Sequence, residues 1–216
     1  MMVDGIIFDF DGTLFDSMYV WRHAADNYLL SLSKTPRDTI STEVAAMNIK
    51  QAAEYLRTNY GIYKSTPEII NDINKLAENE YKLRIQPKSG VVDALKEMHS
   101  QGIKMCVATT NVSYLVKAAA ERCGIDKYFS AYFSGTELDI DKNTPHIYEL
   151  ALEHLDTEKN KTWIFEDSLY AVKSAKSGGF KVAAVYDEYS VTDQKELEQT
   201  ADIYINSISD WKKIYD

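Results

Sequence analysis

Four residues without a polar side chain, Gly5, Ile6, Ile7 and Phe8, are followed at once by two acids, Asp9 and Asp11, on either side of Phe10. A short unbroken apolar run reads as a strand buried on both faces, the habit of a central strand in a parallel sheet. An open α/β sheet of that kind has its ligand crevice outside the carboxyl ends of its strands. Residues two apart in an extended segment share a side, so both acids are expected to face that crevice. Gly12 supplies the freedom to turn immediately afterwards. An aspartate beside a glycine is also ordinary turn chemistry, so the rest of the chain must decide what the pair is for.

Beyond the opening strand the texture is helical. Met18, Trp21, Ala25, Tyr28, Leu29 and Leu32 fall at helical spacing after Asp16 and Ser17, and Lys34–Asp38 breaks the pattern. A second helix is expected from Ser41 or Thr42 to about Tyr60. Ser65-Thr-Pro67-Glu68 is a start signal with proline in the first turn, leading a third helix to about Arg84. Residues 86–90 read as a hinge-like break. From Val91 helices alternate with strands: 91–101, then strand 103–108, helix 113–123, strand 132–133, helix 144–155, strand 163–165, helix 169–177, strands 181–185 and 203–205, and a last helical turn at 208–214. Such alternation means βαβ units and a parallel sheet. The first strand belongs with this later set. The expected fold is therefore α/β, a Rossmann-like three-layer α/β/α core of mostly parallel sheet with an inserted α-helical block.

At 216 residues the chain is long enough to bury a substantial core. Its formal net charge of −9 argues against nucleic acid or an anionic membrane as partner. Nothing at the start reads as a signal peptide, and no run approaches the length of a membrane span. Cys106 and Cys123 are two lone thiols without a CxxC, which fits a reducing cytoplasm. Oligomeric state has no signature in the sequence.

The string Asp9-Phe-Asp11-Gly-Thr-Leu-Phe-Asp-Ser17 resembles the first motif of the haloacid dehalogenase-like superfamily, whose members are mostly phosphatases. Further motifs are similar in order: Thr109-Thr110-Asn111 after strand 103–108, Lys142 with Pro145 before a helix, and Glu166-Asp167-Ser168 after strand 163–165. The likeness covers nearly the whole chain, Val3 to Trp211. It implies membership of the phosphoglycolate phosphatase and β-phosphoglucomutase-like subgroup, with residues 1–15 and 87–216 as catalytic core and 16–86 as a helical cap domain. The chain departs from the family at Asn143, at His146 and at Ala171, where proline, aspartate and glycine are usual.

Phosphoryl transfer from a monoester needs a nucleophile, cations on the phosphoryl oxygens and a proton for the leaving oxygen. Asp9 is expected to be the nucleophile and to form an aspartyl-phosphate. The resemblance gives Asp11 the proton transfers; dehalogenating members lack this second acid, so its presence favours phosphate chemistry. It also puts the phosphate-binding hydroxyl on Thr109, with the Thr110 amide and Asn111 beside it; Thr110 is the close alternative for the hydroxyl. Lys142 supplies a cation to the phosphate. Two like charges about 4 Å apart repel by roughly 4 kcal/mol at an effective dielectric near 20, so converging Asp9, Asp11, Glu166 and Asp167 call for a metal ion. Hard oxygen ligands suit Mg²⁺, with Asp9 and Asp167 ligating through carboxylates, Asp11 through its backbone oxygen, and Glu166 standing behind them. Four cations of the helical block, Arg37, Lys50, Arg57 and Lys64, are candidates for a second anionic group on the substrate. His23 and His146 are lesser candidates to face the crevice, and Trp21 is expected in a core. The expected activity is Mg²⁺-dependent hydrolysis of a small phosphorylated metabolite; the alternatives are a phosphomutase similar to β-phosphoglucomutase and, less favoured, an inactive binding or regulatory protein.

Overall fold

The computed structural model describes residues 3–44 and 47–215. The chain forms two compact units, Met1–Asp16 with Ile85–Asp216, and Ser17–Arg84. The first opens with β1 (Gly5–Phe8) and β2 (Phe15–Asp16). The second follows as α1 (Met18–Arg22), α2 (Ala24–Ser31), α3 (Ile40–Val44), α4 (Ile49–Asn59) and α5 (Thr66–Leu83). The chain then re-enters the first unit through β3 (Gln86–Pro87), α6 (Val91–Ser100), β4 (Lys104–Thr109), α7 (Ser113–Arg122) and β5 (Tyr132–Ser134). It continues as α8 (Gly135–Leu138), α9 (His146–Leu155), β6 (Thr162–Glu166), α10 (Leu169–Ser177), β7 (Lys181–Val185), α11 (Gln194–Thr200) and β8 (Ile203–Ile205).

Six strands make one parallel sheet in the order β5-β4-β1-β6-β7-β8. β1 lies between β4 and β6, with Phe8 in register with Val107 on one side and Phe165 on the other. Successive strands are added outward in both directions from β1, so the topological switch point falls at its carboxyl end. Ile7, Cys106, Ile164 and Val182 pack with Ile147, Ala151, Val172 and Ala175 of α9 and α10 on one face. Ile6, Phe8, Val107 and Phe165, which alternate with them, are buried as well. Cover on both faces is the reason these strands read as continuous apolar runs.

The helical unit has its own core, which includes Tyr28, Leu29, Ile40, Leu56, Ile69 and Ile73. α5 begins where the sequence signal places it, with Ser65 and Glu68 in a reciprocal capping box and Pro67 in the first turn. Two expected helices are each divided. The stretch from Ser17 to Leu32 is α1 and α2, interrupted at His23. The helix expected from residue 41 or 42 to 60 is α3 and α4, because Asn48 and Gln51 form a second capping box that starts α4 afresh; Ala45 and Ala46 lie outside the described residues. The break expected at 86–90 also holds a paired strand: Gln86 and Pro87 run antiparallel to Asp16 and Phe15. The last helical turn is 3₁₀, Ile208–Tyr215. Arg37, Arg57 and Lys64 are paired inside the helical unit. Arg57 bonds Glu54 through two nitrogens at 3.0 and 2.6 Å, Lys64 reaches Asp72 at 2.5 Å, and Arg37 stands 3.8 Å from Glu43 and over the Tyr60 ring. No helix among the described residues is long and apolar enough to cross a membrane.

Candidate active site

The switch point gathers the carboxylates. Asp9 leaves β1 with its amide bonded to the Phe165 carbonyl at 2.9 Å, which sets it beside the end of β6. Glu166 closes β6 and Asp167 follows it. One carboxylate oxygen from each of Asp9, Glu166 and Asp167 lies within 4.8 Å of the others, and all three side chains are buried. The chain turns tightly after Asp9: the amides of Leu14 and Phe15 both bond the Phe10 carbonyl, and the Phe10 and Phe15 rings stack at 4.3 Å. Gly12 makes that turn at φ +88°, and a Cβ there would stand 2.5 Å from a carboxylate oxygen of Asp167. Only glycine satisfies both demands.

Lys142, fully buried, donates from its ammonium to Asp9 and, at 2.7 Å, to Glu166. Burial opposes its charge, but Asp9 and Glu166 outweigh that and hold its pKa well above the ordinary lysine value. Glu166 is saturated by protein donors. Lys142 and the Tyr148 hydroxyl (3.0 Å) share one oxygen, and the amides of Asp167 and Ser168 at 3.2 and 3.1 Å share the other. Asp167 takes the Thr13 hydroxyl at 2.9 Å on one oxygen and the Ser190 hydroxyl at 3.4 Å on the other. Thr13, Tyr148 and Ser190 were invisible as site residues in the sequence; Thr13 stands within the quoted Asp9–Ser17 string and Tyr148 three residues after Pro145, whereas Ser190 carries no local signal.

Asn111 reaches across from the end of β4 to donate to the Asp11 carboxylate at 3.0 Å. Thr109 is buried, and its hydroxyl accepts from the Asn111 amide at 3.0 Å. The Val112 amide is taken by the Asn111 side chain, and the Ser113 amide by Glu137. The first turn of α7 therefore does not offer those two amides to an anion. Thr110 is exposed and its carbonyl accepts from Thr136. His146 is exposed, 4.0 Å from Glu149, and does not join the cluster; His23 is exposed in the helical unit. Ala171 is buried in α10, and Trp21 is half-buried against Tyr81.

Burial first, then the charges of Glu166 and Asp11, push the Asp9 carboxyl up to about 8 against the pull of Lys142. Burial, Glu166, Asp9 and Asp187 raise Asp167 well above the usual carboxylate range. The donor set, hard oxygens crowded together by like charge, fits a small divalent ion. The sign for stability is opposite to that of a salt-bridged aspartate. Between the ordinary aspartate value of 3.8 and about 8 the folded protein keeps a proton on Asp9 that the unfolded chain has lost. Metal-free stability should then fall as pH rises, with Asp9 contributing up to about 1.4 kcal/mol per pH unit. Thermal melts in EDTA from pH 5.5 to 8 should show this slope, and it should be shallower in Asp9→Asn. A slope of the opposite sign, unchanged by the substitution, would contradict the electrostatic account.

A parallel sheet with a buried carboxylate cluster and a buried lysine at its switch point is the arrangement of an α/β enzyme. Residues 6–185 match the family model for haloacid dehalogenase-like hydrolases. The chain belongs to that family, and it is an enzyme of the hydrolase type. It is 26% identical over 196 residues to a phosphorylated carbohydrates phosphatase of Thermotoga maritima, covering 90% of each chain. It is 29% identical over 199 residues to protein CbbY of Cereibacter sphaeroides, covering 83% of each. The fold superposes on the crystal structure of CbbY from Rhodobacter sphaeroides in complex with phosphate with a TM-score of 0.83, at 24% identity and 96% coverage of both chains.

Proposed function

We propose that this protein is a Mg²⁺-dependent phosphatase acting on a small phosphomonoester through an aspartyl-phosphate on Asp9. The observation that carries the reading is the Lys142 ammonium held between Asp9 and Glu166 within the acid cluster. Glu166, each of whose oxygens takes two protein donors, serves to fix Lys142; Asp9, and Asp167 with one hydroxyl on each oxygen, are the carboxylates to hold Mg²⁺, with the Asp11 backbone oxygen. The ion would neutralise charge on the phosphoryl oxygens and on the attacking carboxylate. A carboxylate oxygen of Asp9 attacks phosphorus as the ester P–O bond breaks, and the departing oxygen takes a proton from Asp11. Water then attacks the phosphorus of the acyl phosphate, giving its proton to Asp11, and the Asp9 carboxylate leaves. Asn111 holds Asp11 for both transfers; Thr109 and Thr110 bind the phosphoryl oxygens, and Lys142 offsets their charge.

Residues 16–86 act as a substrate-selecting cap in this reading. The phosphatase named for carbohydrate substrates among the relatives supports sugar phosphates as the first class to try. Incubation with sugar phosphates, phosphoglycolate and nucleotides in Mg²⁺ should yield inorganic phosphate and the free alcohol in equal amounts. Recovery of an isomeric sugar phosphate without phosphate release would instead give the mutase. For the proton role, Asp11→Asn should lower kcat by roughly 10²–10⁴-fold with KM little changed; wild-type kcat in that variant would remove Asp11 from the mechanism.

A further inference from the structure

One lysine outside the acid cluster has all of its donors committed to the loops that build it. The Lys88 ammonium donates to the Gly12 carbonyl at 2.5 Å, to the Tyr186 carbonyl at 2.6 Å and to the Asp187 carboxylate at 2.9 Å. Three N–H groups are all that an ammonium has. Its backbone amide adds a fourth tie, to the Leu14 carbonyl at 2.9 Å. Asp187 is nearly inaccessible, and its second oxygen is taken by the Tyr189 amide at 3.0 Å.

We propose that Lys88 is a positioning residue for the Mg²⁺ site, an inference that rests on the phosphatase reading above. Gly12 and Thr13 share one peptide unit. Lys88 holds the carbonyl of that unit, while the Thr13 hydroxyl bonds Asp167. Gly12 itself packs against Asp167 with no room for a methyl group. The ammonium therefore sets the distance between the turn that follows Asp9 and Asp11 and the loop that leaves β7, with Asp167 between them. It also neutralises Asp187, whose charge acts on Asp167. Lys142 bonds Asp9 and Glu166 and Lys88 bonds Asp187, so two ammonium groups serve this acid-rich corner. Loss of Lys88 frees the turn and adds an unpaired charge together.

The double variant Lys88→Met/Asp187→Asn separates those effects, because it preserves the charge balance and removes only the tie. Mg²⁺ binding is followed by calorimetry and phosphate release by steady-state kinetics, for wild type, Lys88→Met and the double variant. Both variants should bind Mg²⁺ about tenfold or more weakly, with kcat down by about 10–100-fold and KM within about threefold, the range seen when groups supporting metal ligands are lost. A double variant with wild-type Mg²⁺ affinity and kcat would overturn the positioning role. It does so even if Lys88→Met alone fails to fold. A wild-type protein that binds Mg²⁺ but releases no phosphate would refute the phosphatase reading, and the Mg²⁺ comparison would still decide the role of Lys88. Wild type without Mg²⁺ affinity would overturn both.

Discussion

Asp9→Asn should lower phosphate release by roughly 10⁴-fold or more, because an amide cannot form the covalent intermediate and nothing else in the crevice replaces it. The loss should come without a loss of fold. Asp9 is a buried carboxyl already pushed up to about 8 by burial and by its acidic neighbours, so in the metal-free protein the amide removes repulsion. The carbonyl of the amide still accepts from Lys142 in the same place. The variant should therefore melt in EDTA at pH 8 no lower than wild type, while its affinity for Mg²⁺ falls. Measured together, phosphate release and the EDTA melt distinguish a missing nucleophile from a damaged site. Turnover near the wild-type level would remove Asp9 from the chemistry.

Lys142→Met has the second largest expected effect, and it acts on stability as well as rate. Its ammonium is the partner of two buried carboxylates, Asp9 and Glu166. Removing one side of a buried ion pair costs about 3–5 kcal/mol, because charge is left behind without compensation. Here part of that cost is relieved by protonation of Asp9, whose pKa loses the one influence pulling it down from a lysine. The deficit should therefore grow as pH rises past about 8, where Asp9 ionises in wild type but stays protonated in the variant, in urea titrations carried out in EDTA. Phosphate release should fall by roughly 10²–10³-fold, as for loss of a donor that meets developing charge. Arginine is no conservative replacement, since a compact point charge must serve both carboxylates from one nitrogen. A Met variant of wild-type stability at pH 8 would show that the ion pair contributes little.

Much of this arrangement was legible in the sequence wherever it depended on neighbours along the chain. Gly5–Phe8 announced a doubly covered strand, and the acids at 9, 11, 166 and 167 cluster at the carboxyl ends of such strands. Lys142 was legible only through its likeness to a motif, since an isolated loop lysine is ordinarily solvated. What stayed hidden were relations between distant positions. Lys88 meets Gly12 across 76 residues and Asp187 across 99, and neither partner carries a local signal of the pairing. The ribbon of Phe15–Asp16 with Gln86–Pro87 is two residues per strand, too short for any alternation to register. The helix divisions at His23 and before Asn48 were missed for another reason: apolar spacing continues through both, and at Asn48 a local capping box decides the break.

The most direct test of the account is phosphate release by the wild-type protein before dialysis against EDTA, after it, and after Mg²⁺ is returned. A cluster of acids that must be neutralised before a phosphate can approach Asp9 predicts loss of release on chelation and recovery on addition of Mg²⁺. Undiminished release in EDTA would contradict it, because Lys142 alone would then suffice to bring an anion against Asp9, Asp11 and Asp167.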